Sequence, residues 1–183
     1  MKLPSQRSDV TEGIVDRFER VMLPYLDDAY TLARYLLRDE HDAQDVVQDA
    51  ALRALRYFEG FSGDDARAWL LAIVRNCALD WRRRHRVDER SVPFDDVMHG
   101  LAGPSRDADA DAIAWSERSR VQRALDALPF EFREVIVLRE VQELRYREIS
   151  DVLGVPMGTV MSRLARARRQ LAALLDPGAR EVS

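Results

Sequence analysis

Apolar residues recur at three- and four-residue intervals along almost the whole of this chain, and no run sustains period-two alternation between turn residues. A half-buried strand needs every second side chain on one face. A core-facing helix needs a stripe at i, i+3, i+4 and i+7. The chain is therefore read as all-α, with helices over 10–21, 24–37, 41–58, 64–86, 113–127, 130–140, 145–153 and 157–174. Pro24 separates the first two of these. Pro129 and Pro156 stand in first turns, where a missing backbone N–H costs nothing. Asp64 and Asp65 put negative charge at the start of 64–86, where the helix dipole favours it.

Charge then divides the helices into groups. Residues 1–86 carry 14 basic and 15 acidic side chains, residues 87–112 carry 2 and 7, and residues 113–183 carry 12 and 10, within a formal net charge of −4. The acidic middle also collects proline and glycine, in "VPFDDVMHGLAGPSRDADAD". Such a stretch buries little apolar surface and reads as a flexible linker. The expected organisation is two small helical domains, 10–86 and 113–176, joined by an acidic linker over 87–112. The single cysteine, Cys77, excludes an internal disulfide and fits a reducing compartment. The N-terminal stretch has no apolar signal core, and no run approaches 18 apolar residues, so a cytoplasmic protein without a membrane span is expected. His41, His85 and His99 lie in polar or linker contexts, without a nucleophile–base pair, a glycine-rich phosphate loop or a cluster with metal-ligand spacing. No enzyme, cofactor or metal site is expected.

Three surfaces need explaining. On 41–58, Val47, Ala50, Ala51, Ala54 and Phe58 share one face, read as core, while Asp45, Gln48, Asp49, Leu52 and Arg56 share the opposite one. That second face fits a solvated surface as well as it fits a docking site for a basic partner helix. On 64–86, Leu70, Val74, Cys77 and Trp81 form a core stripe, with Cys77 as a small hydrophobe. Trp69 and Trp81 are read as core rather than as stacking platforms for bases. Arg75, Asn76, Leu79, Arg82 and Arg83 line the other side, and the run Arg82, Arg83, Arg84 and Arg86 exceeds what a helix C-terminus needs. The third surface is "LRYREISDVLGVP" followed by "MGTVMSRLARARRQL": a helix, a glycine turn at Gly154, and a second helix with four arginines. This is helix-turn-helix spacing. Val160, Leu164, Ala167 and Leu171 point inward. Thr159, Ser162, Arg163, Arg166 and Arg169 point outward, with Arg168 beside them, suited to base edges and phosphates. A free-standing dimeric regulator would need a dimerisation surface and a sensor domain, and 41–86 suits neither.

Taken in order, "DAQDVVQDAALRAL", "ARAWLLAIVRNCALDWRRR" and "ALDALPFEFREVIVLREVQELRYREISDVLGVPMGTVMSRLARAR" resemble regions 2.2, 2.3–2.4 and 4 of the sigma-70 family of bacterial RNA polymerase initiation factors, in particular its extracytoplasmic-function (ECF) group. The likeness covers roughly 14–86 and 117–175. It implies a region 2 bundle and a region 4 helix-turn-helix. It also implies a core-polymerase contact to the β′ clamp helices at Asp45, Gln48 and Asp49, with Leu52 on the same face. Asn76 would accept a flipped base of the −10 element, with Arg75, Arg82 and Arg83 beside it. Thr159, Ser162, Arg163, Arg166 and Arg168, with Arg169, would lie in or beside the helix that reads the −35 element, and region 4 would touch the β flap. The implied partners are core RNA polymerase, promoter DNA and an anti-sigma factor.

Overall fold

A computed structural model of the chain describes residues 5–62, 65–85 and 108–176. Eight helices carry the fold among them: α1 Ser5–Met22, α2 Leu26–Leu37, α3 Glu40–Tyr57, α4 Ala66–His85, α5 Ala108–Ala127, α6 Phe130–Ile136, α7 Tyr146–Leu153 and α8 Met157–Leu175. There is no strand among the described residues. Asp64, Arg86, His99 and residues 87–107 of the expected linker lie outside the described residues. The helix expected from 113 begins at Ala108.

Helices α1–α4 form the first module. Asp39 caps α3, its Oδ1 accepting from the N–H of His41 at 2.8 Å and of Asp42 at 3.0 Å. Asp65 does the same for α4 through the N–H of Ala68, at 2.9 Å. Because α3 lies between α2 and α4, its buried line is Ala43, Val46, Ala50 and Ala54, continued by Phe58. This corrects the expected inward face: Val47 and Ala51 sit at its edge, half-buried. Alanines on that line let the neighbouring helices approach closely, and Leu32, Leu36, Leu70, Leu71 and Val74 fill the space between them. Phe58 closes one end of the bundle, edge-on to Phe18 at 5.3 Å. Cys77 is buried as expected, and burial pushes its thiol up to about 11.

Helices α5–α8 form the second module around Leu128, Val135, Ile136, Leu138, Ile149, Val160 and Leu164. Pro129 and Pro156 take extended N-cap geometry, φ −52° and −57°, one position ahead of the expected first turn. The helix expected over 130–140 is α-helical only to Ile136 and then widens into a π turn, Val137–Val141, in which Gln142 N–H reaches back to the Val137 carbonyl at 2.9 Å. Glu143 then adopts a left-handed φ of 56°, which turns the chain into α7.

The two modules pack on each other, α4 on α7 and α2 on α6, so that one apolar cluster runs through both. Polar groups line the seam. Arg67 Nη2 donates to Gln142 Oε1 at 2.8 Å, Gln142 Nε2 donates to the Asp28 carbonyl at 3.0 Å, and Arg75 Nε donates to Glu134 Oε2 at 2.9 Å. The guanidinium of Arg82 lies 4.1 Å from the Phe130 ring centre, and Arg38 lies 3.9 Å from Asp126.

Candidate nucleic-acid and partner interfaces

The turn between α7 and α8 is built by a residue that tolerates the left-handed region. Gly154 has φ 64° and ψ 35° and ends α7. Ser150 fixes the exit, its Oγ donating to the Val155 carbonyl at 2.6 Å. Glu148 secures the other end of α7 by accepting from Arg145 N–H at 2.6 Å. With α8 so placed, Val160, Leu164 and Ala167 are buried, and Ser162, Arg166 and Arg169 face solvent. Ser162 Oγ donates to the Thr159 carbonyl at 3.0 Å, and Thr159 is half-buried. Met157 and Met161, each 51% exposed, add apolar surface to the same end of α8. Outward-facing apolar residues on an otherwise basic helix escaped the charge-based reading for Met157.

The four arginines expected on this surface divide into two groups. Arg166 and Arg169 have no ion pair among the described residues, so their charge is available to a phosphate. Arg168 is held by Glu140 Oε1 at 2.6 Å, and Arg163 reaches Glu134 Oε1 at 3.4 Å.

On α4 the expected group also divides. Asn76 is exposed, and Arg83 is largely exposed beside Asp80 at 3.8 Å. Arg75 is mostly covered and forked onto Glu134, at 2.9 and 3.3 Å. Arg82 lies half-buried against Phe130. Trp69 packs on Phe61 at 4.9 Å, and Trp81 stacks on His85 at 4.0 Å; both rings are half-buried.

The outward face of α3 carries Asp45, Gln48 and Arg56 exposed, around Leu52. At 65%, Leu52 is more exposed than any other large apolar side chain among the described residues. An apolar centre ringed by carboxylate and amide groups has the composition of a protein-binding patch. Asp49 is half-buried and turned partly inward: Arg53 Nη2 approaches it at 2.9 Å and bridges it to Asp80 on α4 at 3.2 Å.

Sequence reasoning missed the central acid of the seam. Glu134 is 1% exposed, and burial raises its carboxyl even though Arg75 and Arg163 oppose that shift. Its neighbour Arg133 is 2% exposed, with Nε and Nη1 making no hydrogen bond to the protein, and burial lowers its guanidinium to about 10. A signal was present in the sequence: Phe132, Val135, Ile136, Val137 and Leu138 leave only Arg133 and Glu134 polar in 132–138, and a helix apolar on nearly every side has neighbours all round it.

Comparison with known proteins gives a consistent result. Two family descriptions match: "Sigma-70 region 2" over residues 22–87 and "Sigma-70, region 4" over residues 118–171. The ECF RNA polymerase sigma factor SigM of Mycobacterium tuberculosis is 38% identical over 160 residues, covering 86% of this chain and 76% of that one. SigE of Mycolicibacterium smegmatis, also an ECF RNA polymerase sigma factor, is 34% identical over 87% of this chain, which spans 62% of that longer relative. Among solved structures, the sigma factor RpoE of Bartonella quintana, in complex with the anti-sigma factor NepR, superposes with a TM-score of 0.69 at 28% identity, covering 88% of this chain and 98% of that one.

Proposed function

The chain belongs to the sigma-70 family, in its ECF group of RNA polymerase sigma factors, and from that premise we propose how its surfaces divide the work of promoter-specific initiation. A sigma factor is not an enzyme; the polymerase makes the phosphodiester bonds. The α3 face of Asp45, Gln48, Asp49 and Leu52 docks on the β′ clamp helices of core RNA polymerase. The α4 face, with Asn76, Arg75, Arg82 and Arg83, takes the separated strand of the −10 element, where flipping a base out of the stack costs a few kcal/mol that a shaped pocket must offset. The α8 face, with Thr159, Ser162, Arg163, Arg166, Arg168 and Arg169, lies in the major groove of the −35 element, and the second module touches the β flap.

The observation that supports this most is the presentation of α8. Past the left-handed turn at Gly154, its apolar stripe is buried and Ser162, Arg166 and Arg169 are turned to solvent. A groove-binding helix needs that orientation. Either module alone would bind DNA weakly and with strong salt dependence. Joining them in one chain raises the effective concentration of each at its own element. An anti-sigma partner, of the kind bound to the Bartonella quintana factor, fits a chain whose α3 patch around Leu52 and outward α8 side are both exposed. The work is cytoplasmic, and no described helix is long and apolar enough to cross a membrane.

Run-off transcription with purified core polymerase on a genomic promoter library tests the reading. Start sites that appear only when the chain is added support it. A library without a single chain-dependent start site overturns it.

A further inference from the structure

The outward side of α8 is not uniformly basic. From Met157 to Ala165 its exposed residues are Met157, Gly158, Met161, Ser162 and Ala165, and none is charged. Arg163, the one cation in that stretch, is half-buried and reaches Glu134 Oε1 at 3.4 Å. Arg166 and Arg169, which have no ion pair among the described residues, come only in the turns that follow. The helix therefore has an uncharged first half and a basic second half. The first half is the end that meets base edges when the second helix of a helix-turn-helix enters the major groove.

Base edges there require different partners. Guanine shows two acceptors and needs a donor such as arginine, whereas thymine shows one acceptor and a methyl group. Donors are scarce on this half of α8: Ser162 Oγ commits its proton to the Thr159 carbonyl at 3.0 Å, and Thr159 is half-buried. Apolar surface is not scarce. Met157 and Met161, each 51% exposed, stand one turn apart on one face, about 6 Å along the axis. That spacing is close to the rise of two base pairs, at about 3.4 Å each. A thioether chain is flexible and polarisable, so it can settle against a methyl group without a fixed approach. Gly158 keeps the surface beside them low. A Cβ there would meet nothing within 4 Å, so nothing inside the chain calls for glycine, and glycine weakens a helix relative to alanine. The two unpaired cations further along the same side mark it as a surface that faces phosphates rather than an apolar protein.

We propose that Met161, together with Met157, reads thymine in the −35 element: the two side chains pack on 5-methyl groups in the major groove, while Arg166 and Arg169 hold phosphates without regard to sequence. This rests on the placement of α8 in that groove, and the experiment separates the two.

The full chain with core polymerase selects from duplexes randomised over the upstream element ahead of one chain-dependent start site. The wild-type chain should enrich T·A or A·T pairs at one or two positions. Met161→Ala should lose that enrichment at one of them and keep the rest, and Met161→Arg should replace it there by a G·C pair. Met161 is exposed, so both variants should keep the wild-type circular dichroism. Deoxyuridine then replaces thymidine at that position in the best-bound duplex, which removes the methyl group alone. The wild-type complex should lose about fourfold in affinity, and the Met161→Ala complex, already weaker, should lose nothing more.

Equal losses from deoxyuridine in the two complexes, or a Met161-dependent position without thymine on either strand, overturn the reading of thymine. Arg166→Ala tells this apart from an error in placing α8. If Arg166→Ala weakens binding to the upstream duplex while deoxyuridine has no effect, only the thymine contact falls. If neither Arg166→Ala nor Met161→Ala changes use of the upstream element, the placement of α8 falls, and the thymine contact with it.

Discussion

The arginines of α8 should not contribute equally to DNA binding, and the difference can be worked out from their present partners. Arg166 faces solvent without an ion pair among the described residues, whereas Arg168 is held by Glu140 at 2.6 Å, both side chains about half exposed. Each phosphate contact contributes about 0.9 to the slope of log affinity against log salt, which is about a 3.5-fold change between roughly 50 and 200 mM. Arg166→Ala should remove one such contact outright. Arg168 must first leave Glu140, and an exposed pair of this kind is worth up to about 1 kcal/mol, or about fivefold in affinity. Arg168→Ala should therefore cost less than Arg166→Ala. Glu140→Gln should do the opposite, raising affinity by a few-fold and steepening the salt slope as Arg168 becomes free. The assay is a fluorescence-anisotropy titration of a short mixed-sequence duplex with the full chain at several salt concentrations. If Arg168→Ala matches or exceeds Arg166→Ala in loss and Glu140→Gln leaves the slope unchanged, the partition of α8 into free and held arginines is wrong.

Three further outcomes are expected. Asp45→Arg should abolish co-migration with core polymerase in gel filtration while circular dichroism stays unchanged. Asp45 is exposed, whereas a change at Asp49 would also break the Arg53 bridge to Asp80 and confuse docking with folding. Gly154→Ala should lower stability by about 1 kcal/mol through the left-handed backbone alone, because a Cβ there meets nothing within 4 Å; thermal unfolding reads this as a fall of roughly 2–4 °C. Burial raises the Cys77 thiol from 9.0 to about 11, so the folded chain holds that proton more tightly than the unfolded one. The stability this confers is present below the lower value and is lost as pH rises through that window. The stability of the chain should therefore fall more steeply than that of Cys77→Ala over that range in denaturant titrations.

The helices were legible because each one buries a stripe against the others. The periods at Val160, Leu164 and Ala167, and at Leu70, Val74 and Cys77, survive into the structure unchanged. The α3 face was read correctly at Ala50, Ala54 and Phe58 and not at Val47 and Ala51, because a single helix does not reveal whether it packs on two neighbours or one; packing on both α2 and α4 brings Ala43 and Val46 into the buried line. The candidate arginines were legible as charges and not as partners. Nothing local in "AIVRNC" or "FEFREVIV" pairs Arg75 with Glu134, 59 positions along the chain. Only tertiary packing brings those two stretches together.

That pairing also bears on how readily the modules separate. Burial raises the Glu134 carboxyl and lowers the Arg133 guanidinium, so in both cases it works against the charged form. Each group would regain favourable solvation on opening. The apolar part of the seam draws the modules together, while these polar groups oppose complete commitment to the closed arrangement. An equilibrium set by such opposing contributions is within reach of a partner: converting a closed majority of 99:1 into an open one takes a preference of about 5.5 kcal/mol for the open form. Core polymerase, docking on the α3 face and on the second module together, can supply a preference of that size only if the two docking sites lie at a separation the closed chain does not reach. A polymerase that bound the chain equally well with the modules held together and with the modules free to part would exert no such pull.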